Sequence, residues 1–336
     1  LSEILVTVVI PTIAADCRLE ECMAALRRQA RRDFEVIVVD NSGKGLARSH
    51  GFIGQARVIE CPRNLGFGAA VNLGIAASRA PYVACLNDDA VPRPAWLEAL
   101  VRALDRRPDA GMCASQVRLF GEPRLDSAGM LVAADGSSRQ RGHGRPPEDF
   151  PVAEETLFPS GSACLYRRAM LEDVGGFDGH FFLYCEDTDL GLRARWAGWK
   201  CLYAPDAVVE HHYSHSAGRA SPVKAYYVER NRLFVLLKNF PARMLLAAPF
   251  VSLARYLWHF WYILQGRGSA ARFRAEGHAG PRMVWYVLRA HAAVLAHAAR
   301  LWRQRREIRA RARITPAVFR RLLRSHSIRA RRVATL

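Results

Sequence analysis

The stretch YVACLNDDAV, residues 82–91, decides how the chain is read. An apolar, β-prone run climbs to Leu86 and stops at Asn87-Asp88-Asp89. Runs without polar alternation suit strands buried on both faces of a parallel sheet. On such sheets ligands gather beyond the carboxyl ends of the strands. Two neighbouring carboxylates at that point repel each other, and a divalent cation removes the repulsion. Hard oxygen donors suit Mg2+ or Mn2+, either of which can bridge to a diphosphate. The same residues also suit a solvated turn or a helix N-cap, so the stretch alone leaves both readings open.

Outward from this run the pattern repeats. ILVTVVIPT (4–12), FEVIVVDNSG (34–43) and the shorter ARVIECPRN (56–64) read as further strands. RLEECMAALRRQA (18–30), FGAAVNLGIAAS (67–78) and PAWLEALVRALDR (94–106) read as helices between and after them. This alternation predicts an α/β fold with a mainly parallel sheet flanked by helices. Three strand ends carry polar groups, Pro11-Thr12, Asp40-Asn41 and Asn87-Asp88-Asp89, and they are expected to meet at one edge.

Farther along, residues 121–156 are rich in Gly, Pro and charge and read as a mobile insertion or lid. FFLYC (181–185) leads into Glu186-Asp187-Thr188-Asp189 at the start of a helix. Acids favour a helix N-terminus for electrostatic reasons alone, and Asp189 with Arg193 has the i,i+4 spacing of a surface pair. A carboxylate beside an apolar wall also suits a general base. KCLYAPDAVVEHHYSHS (200–216) reads as a short strand pair ending in His211, His212 and His215, one of which could join the aspartates on a metal. RNLGFGAAVNLG (63–74) is Gly-rich ahead of a helix. It lacks the Walker lysine and is not GxGxxG, but its small residues let backbone approach a phosphate. The eight cysteines form no CxxC pair, as expected of buried thiols in a reducing compartment.

Charge divides the chain. Residues 1–215 hold 24 Lys and Arg against 28 Asp and Glu, whereas residues 216–336 hold 25 against 3. A region this basic needs a polyanion, and phospholipid headgroups or nucleic acid are the common ones. Here the basic residues are interleaved with apolar runs and with Trp258, Trp261, Trp285 and Trp302, which suits an anionic membrane interface and no nucleic acid. Residues 244–264 are mostly apolar, but Arg255 and Pro249 interrupt them, so in-plane or re-entrant helices fit better than a span.

Taken in order, VVIPT, FEVIVVDNSG, RNLGFGAAVNLGI, YVACLNDDA, GGFDGHFFLYCEDTDLGLRARWAGWK and VVEHHYSHS resemble the family 2 glycosyltransferases of the GT-A fold. The likeness is to their bacterial rhamnosyltransferase-like branch, and YYVERNRLFVLLKN extends it to about residue 239. The resemblance implies a GT-A catalytic domain over 1–216 and a helical, Arg-rich, membrane-associating region over 217–336. Thr12 and Asp40 match positions for the nucleotide base and ribose, and Arg63 and Asn64 run past the donor. Asn87-Asp88-Asp89 matches the DxD motif, with Asn87 in place of its first Asp and Asp89 as metal ligand. Asp187 matches the catalytic base and Glu186 an adjacent acid. His211 resembles a metal-joining histidine, with His212 as the competing choice. The QxxRW signature of processive synthases is absent. The family implies a Mg2+- or Mn2+-dependent, inverting transfer from a dTDP- or UDP-sugar to a polyprenyl-linked or glycan acceptor. The expected place is the cytoplasmic face of the bacterial inner membrane. A nucleotidyltransferase on a related fold is the rival, but IPTIAADCR (10–18) lacks the glycines such enzymes carry after strand one.

Overall fold

The structure is a computed structural model that describes residues 4–14, 16–212, 221–268 and 280–335. The first half alternates as the sequence predicts. β1 (Val6–Thr12), α1 (Cys17–Arg27), β2 (Phe34–Asp40), β3 (Arg57–Glu60), α2 (Phe67–Ala77) and β4 (Tyr82–Leu86) follow in turn. A short β5 (Ala90–Pro92), α3 (Trp96–Asp105) and β6 (Ala110–Leu119) come next. Strands β3, β2, β1 and β4 lie side by side and parallel. Period-two alternation sends Val8 and Ile10 of β1 to one face with α1 and α3, and Val9 to the other with α2.

Residues 121–156 are a packed unit and not a loose lid. They carry β7 (Leu125–Ser127), β8 (Met130–Val132), β9 (Ser138–Gln140) and β10 (Glu154–Thr156). Leu125, Asp126, Ser127, Ala128, Ala133 and Asp135 are all buried. Their Gly and Pro content reflects short strands joined by tight turns. β11 (Ala163–Arg167) inserts antiparallel between β4 and β6, and α4 (Arg168–Val174) and α5 (Glu186–Trp196) follow it. Residues 200–211 form one long strand, β12 (Lys200–His211), where the sequence reading expected a strand pair. Irregular register between Ala204 and Val208 bends it along β6 without ending it. His215 lies outside the described residues.

Among the described residues the remaining α-helices are α6 (Pro222–Asn239), α7 (Ala242–Leu264), α8 (Gly280–Ala296), α9 (Ala298–Ala310), α10 (Pro316–Ser325) and α11 (Ala330–Thr335). Several pack on the α2/α4/α5 face of the sheet. Phe234 of α6, Phe240 just after it, Leu301 and Ile308 of α9 and Phe319 of α10 share its apolar core. Trp196 at the end of α5 stacks on Phe319 at 4.0 Å and donates to the Asn239 carbonyl. Asp189 is fully buried and not half of a surface pair: Arg193, Lys238 and Asn239 converge on it at 2.8–2.9 Å. Arg255 is likewise turned inward, to Asp135 at 2.7 Å and Glu229 at 2.9 Å. Among the described residues no helix is long and apolar enough to cross a membrane.

Candidate active site

The polar strand ends meet at one edge. Thr12 and Asp40 are register partners across β1 and β2, and the Asn41 amide donates to the Thr12 carbonyl at 2.7 Å. Thr12 also hydrogen-bonds Asp88. Loss of hydration, with Asp89 and Asp16 nearby, lifts Asp88 to about 6 against that bond. The Asp40 carboxylate organises its own loop, accepting from the Ser42 amide and hydroxyl on one oxygen and the Ala47 amide on the other. Asn64 spends its side-chain oxygen on Asn41 and the Gly66 amide, while Arg63 is exposed beside the same loop.

Asp89 and His211 come together as the last residues of two approaching segments. β12 pairs with β5, and this sets His211 opposite Ala90. His211 Nε2 lies 3.1 Å from Asp89 Oδ1 and 3.3 Å from Asn87 Nδ2. Its Nδ1 lies 2.8 Å from Asp126 Oδ2, and His143 Nδ1 lies 3.3 Å from the other Asp126 oxygen. Burial opposes charge on the ring, but two flanking carboxylates reverse this and raise His211 to about 10. Burial would raise Asp126; His143 and His211 outweigh it and hold the carboxyl at about 2. Asp89 is also net lowered, since His211 overcomes its desolvation. The His212 ring stacks on Phe120 at 3.7 Å and meets Glu21 at 2.8 Å, while its backbone amide donates to the Asp89 carbonyl at 3.1 Å.

This donor set fits a small hard cation. Asp89 Oδ1 is buried and faces His211 Nε2 at 3.1 Å. A cation held by Asp89 and His211 would take the place of the proton on His211 Nε2 that now faces Asp89 Oδ1 at 3.1 Å. Asp126 fixes the ring from behind, as carboxylates commonly do for metal-ligating histidines. Among the described residues no three His, Cys, Asp or Glu side chains converge to hold an ion unaided.

The acid pair lies close by. Asp187 accepts from the Gly161 amide at 3.1 Å and the Thr188 amide at 2.6 Å. The next residue, Ser162, accepts the Asn87 amide on its carbonyl at 2.8 Å, so a two-residue bridge ties the acid pair to the end of β4. Glu186 is buried and its Oε2 has no partner. Burial, with Asp187 adding repulsion, raises its carboxyl to about 8. Desolvation raises Asp187 too, against the two amides that stabilise its ionised form.

The sequence profile of Glycosyl transferase family 2 matches residues 7–175. The chain belongs to this family. N-acetylglucosaminyl-diphospho-decaprenol L-rhamnosyltransferase of Mycobacterium tuberculosis is 33% identical over 248 residues, 66% of this chain and 80% of that protein. O-antigen chain rhamnosyltransferase WbaN of Salmonella anatum is 26% identical over 220 residues, 62% of this chain and 67% of that one. The crystal structure of GalNAc-T7 with UDP, GalNAc and Mn2+ superposes with a TM-score of 0.61 at 13% identity, over 75% of this chain and 51% of that one. The last likeness shows the fold, which is of the GT-A type. This family 2 glycosyltransferase therefore has the architecture its motifs implied. Asp126 and His143 were missed by sequence reasoning because they lie in the segment read as a lid. Their only signal was the apolar run that resumes around LDSAGMLV (125–132).

Proposed function

We propose that this glycosyltransferase performs an inverting, metal-dependent transfer of one sugar, with rhamnose the first candidate. The donor is a dTDP- or UDP-sugar. The acceptor is a hydroxyl of a polyprenyl-diphosphate-linked saccharide or growing glycan at the cytoplasmic face of the bacterial inner membrane. The supporting observation is the Asp89–His211–Asp126 cluster at the sheet edge, tied through Gly161-Ser162 to the buried acid pair.

Asp89 and His211 would hold Mg2+ or Mn2+, and Asp126 keeps the His211 ring in the ligating orientation. The bound ion would stabilise negative charge on the departing diphosphate. Thr12 and Asp40 take the nucleoside side of the donor, and Arg63, Asn64, Asn87 and Asp88 line its path. Asp187, whose ionised form two amides favour, removes the acceptor hydroxyl proton as that oxygen attacks the anomeric carbon opposite the diphosphate. A single displacement inverts the configuration. Glu186 keeps its proton and so can donate a hydrogen bond to the acceptor without competing as base.

Support for a membrane-side location comes from helix α7. Leu246, Phe250, Leu253, Leu257, Phe260, Trp261 and Leu264 are exposed at helical spacing along one stripe, and α8 exposes Val284, Trp285, Leu288 and Leu295. An exposed apolar stripe in a strongly basic region suits an anionic bilayer surface rather than a polynucleotide. The test is a panel of dTDP-, UDP- and GDP-sugars with a polyprenyl-diphosphate-linked N-acetylglucosamine acceptor, with and without Mn2+. Asp187→Asn should keep donor binding and lose about 10²-fold or more in transfer. Near-normal transfer by that variant would remove Asp187 from the role.

A further inference from the structure

Immediately before the acid pair, the backbone takes a path that side chains oppose. Phe182 (φ 63°, ψ −61°), Tyr184 (φ 70°) and Cys185 (φ 65°, ψ 2°) are the non-glycine residues with positive φ among those described. Such conformations persist only where the surroundings over-determine them, and they cluster at functional sites. Here the surroundings come from two sides. The first amide of α2, Phe67 N–H, donates to the Phe182 carbonyl at 2.7 Å. From α6, the Asn231 side-chain amide donates to the carbonyls of Phe181, Leu183 and Tyr184 at 2.7–2.9 Å. Arg230 beside it donates to the carbonyls of His180 and Phe181, both at 2.8 Å, and binds Asn231 Oδ1 through its Nε. Asn231 is fully buried, and its side-chain amide hydrogens go to this one segment.

We propose that Asn231 and Arg230 are positioning residues for transfer. They hold residues 181–185 in a path with positive φ at Phe182, Tyr184 and Cys185, and that path aims Glu186 and Asp187 into the site. The proposal rests on the reading of Asp187 as base given above. It also gives helix α6 a part in the chemistry, separate from any role of the basic helices at a membrane. The amide of α2 that receives Phe182 follows directly on the donor-side loop 63–66. Donor-side and acceptor-side segments are thus joined at one hydrogen bond, and α6 presses on its far side.

The test uses the full chain and two independent readouts. The first is steady-state transfer from dTDP-rhamnose to polyprenyl-diphosphate-linked N-acetylglucosamine. The second needs no substrate: alkylation of Cys185 by iodoacetamide, followed by peptide mapping, with the buried core thiol Cys113 as internal standard. Asn231→Ala should lower kcat by about tenfold or more with little change in donor KM, since small displacements of a reacting group are costly. It should speed Cys185 alkylation about tenfold and leave Cys113 protected. Adding Tyr184→Gly should recover part of both effects, because glycine adopts the left-handed conformation freely. Arg230→Met gives the same reading should Asn231→Ala fail to fold. Unchanged kcat and unchanged Cys185 protection would overturn the proposal, and so would joint loss of Cys185 and Cys113 protection. If no donor is turned over, the function proposed above fails while the thiol readout still decides the clamp.

Discussion

At the residue scale the decisive contrast is between two adjacent carboxyls in different surroundings. Asp187 accepts backbone N–H bonds from Gly161 and Thr188, and Glu186 is buried with Oε2 unpartnered. Glu186 titrates at about 8 in the fold, raised by burial and then by Asp187, and at its ordinary value of about 4.5 when unfolded. A raised carboxyl contributes stability below its unfolded pKa and loses that contribution as pH climbs through the folded one. Glu186→Gln should therefore melt above the parent protein at a pH near 8, and the difference should shrink towards about pH 5. A constant difference across that range would show that Glu186 is ionised throughout. Asp126 calls for a different measurement. Asp126→Asn leaves the His211 ring loosely held, so Mn2+ affinity should fall about 10- to 100-fold by calorimetry with activity recovering at high Mn2+.

Elements explain why so much of the edge was legible. β1, β2 and β4 each end on polar residues, and parallel pairing puts Thr12, Asp40 and the Asn87–Asp89 turn together once the strands are placed. Strand direction was less readable, because an apolar run such as ACLYR (163–167) looks the same parallel or antiparallel. Asp189 was misread for a related reason. Its i,i+4 partner is local and visible, while Lys238 and Asn239 arrive from another helix that spacing within α5 does not reveal. At Gly66 the elements meet most tightly. Its φ is +87°, and a Cβ there would lie 2.2 Å from the Phe182 carbonyl oxygen. Gly66→Ala should cost roughly 2 kcal/mol or more in a denaturation experiment and should reduce transfer, because it pushes apart the donor-side loop and the segment before Asp187.

For the whole molecule, the C-terminal helices join the catalytic core through Trp196–Phe319, the Asp189 network and Asn231, yet they keep an apolar stripe outward. Composition foretold the basic, amphipathic character of this region but not its attachment, since the attaching side chains are single polar residues without periodicity. Replacing Leu253 and Leu257 with Glu should weaken sedimentation with phosphatidylglycerol vesicles at low salt about tenfold or more, and should spare transfer to a short-chain acceptor. Unchanged vesicle binding would place the membrane contact elsewhere. The central claim is that Asp89 and His211 share one cation that grips the donor diphosphate. Calorimetric binding of dTDP and UDP in the presence and absence of Mn2+ tests it most directly. The account predicts Mn2+-dependent nucleotide binding that is lost in Asp89→Asn and His211→Ala and kept in His212→Ala. Binding that ignores Mn2+, or that survives His211→Ala undiminished, would contradict it.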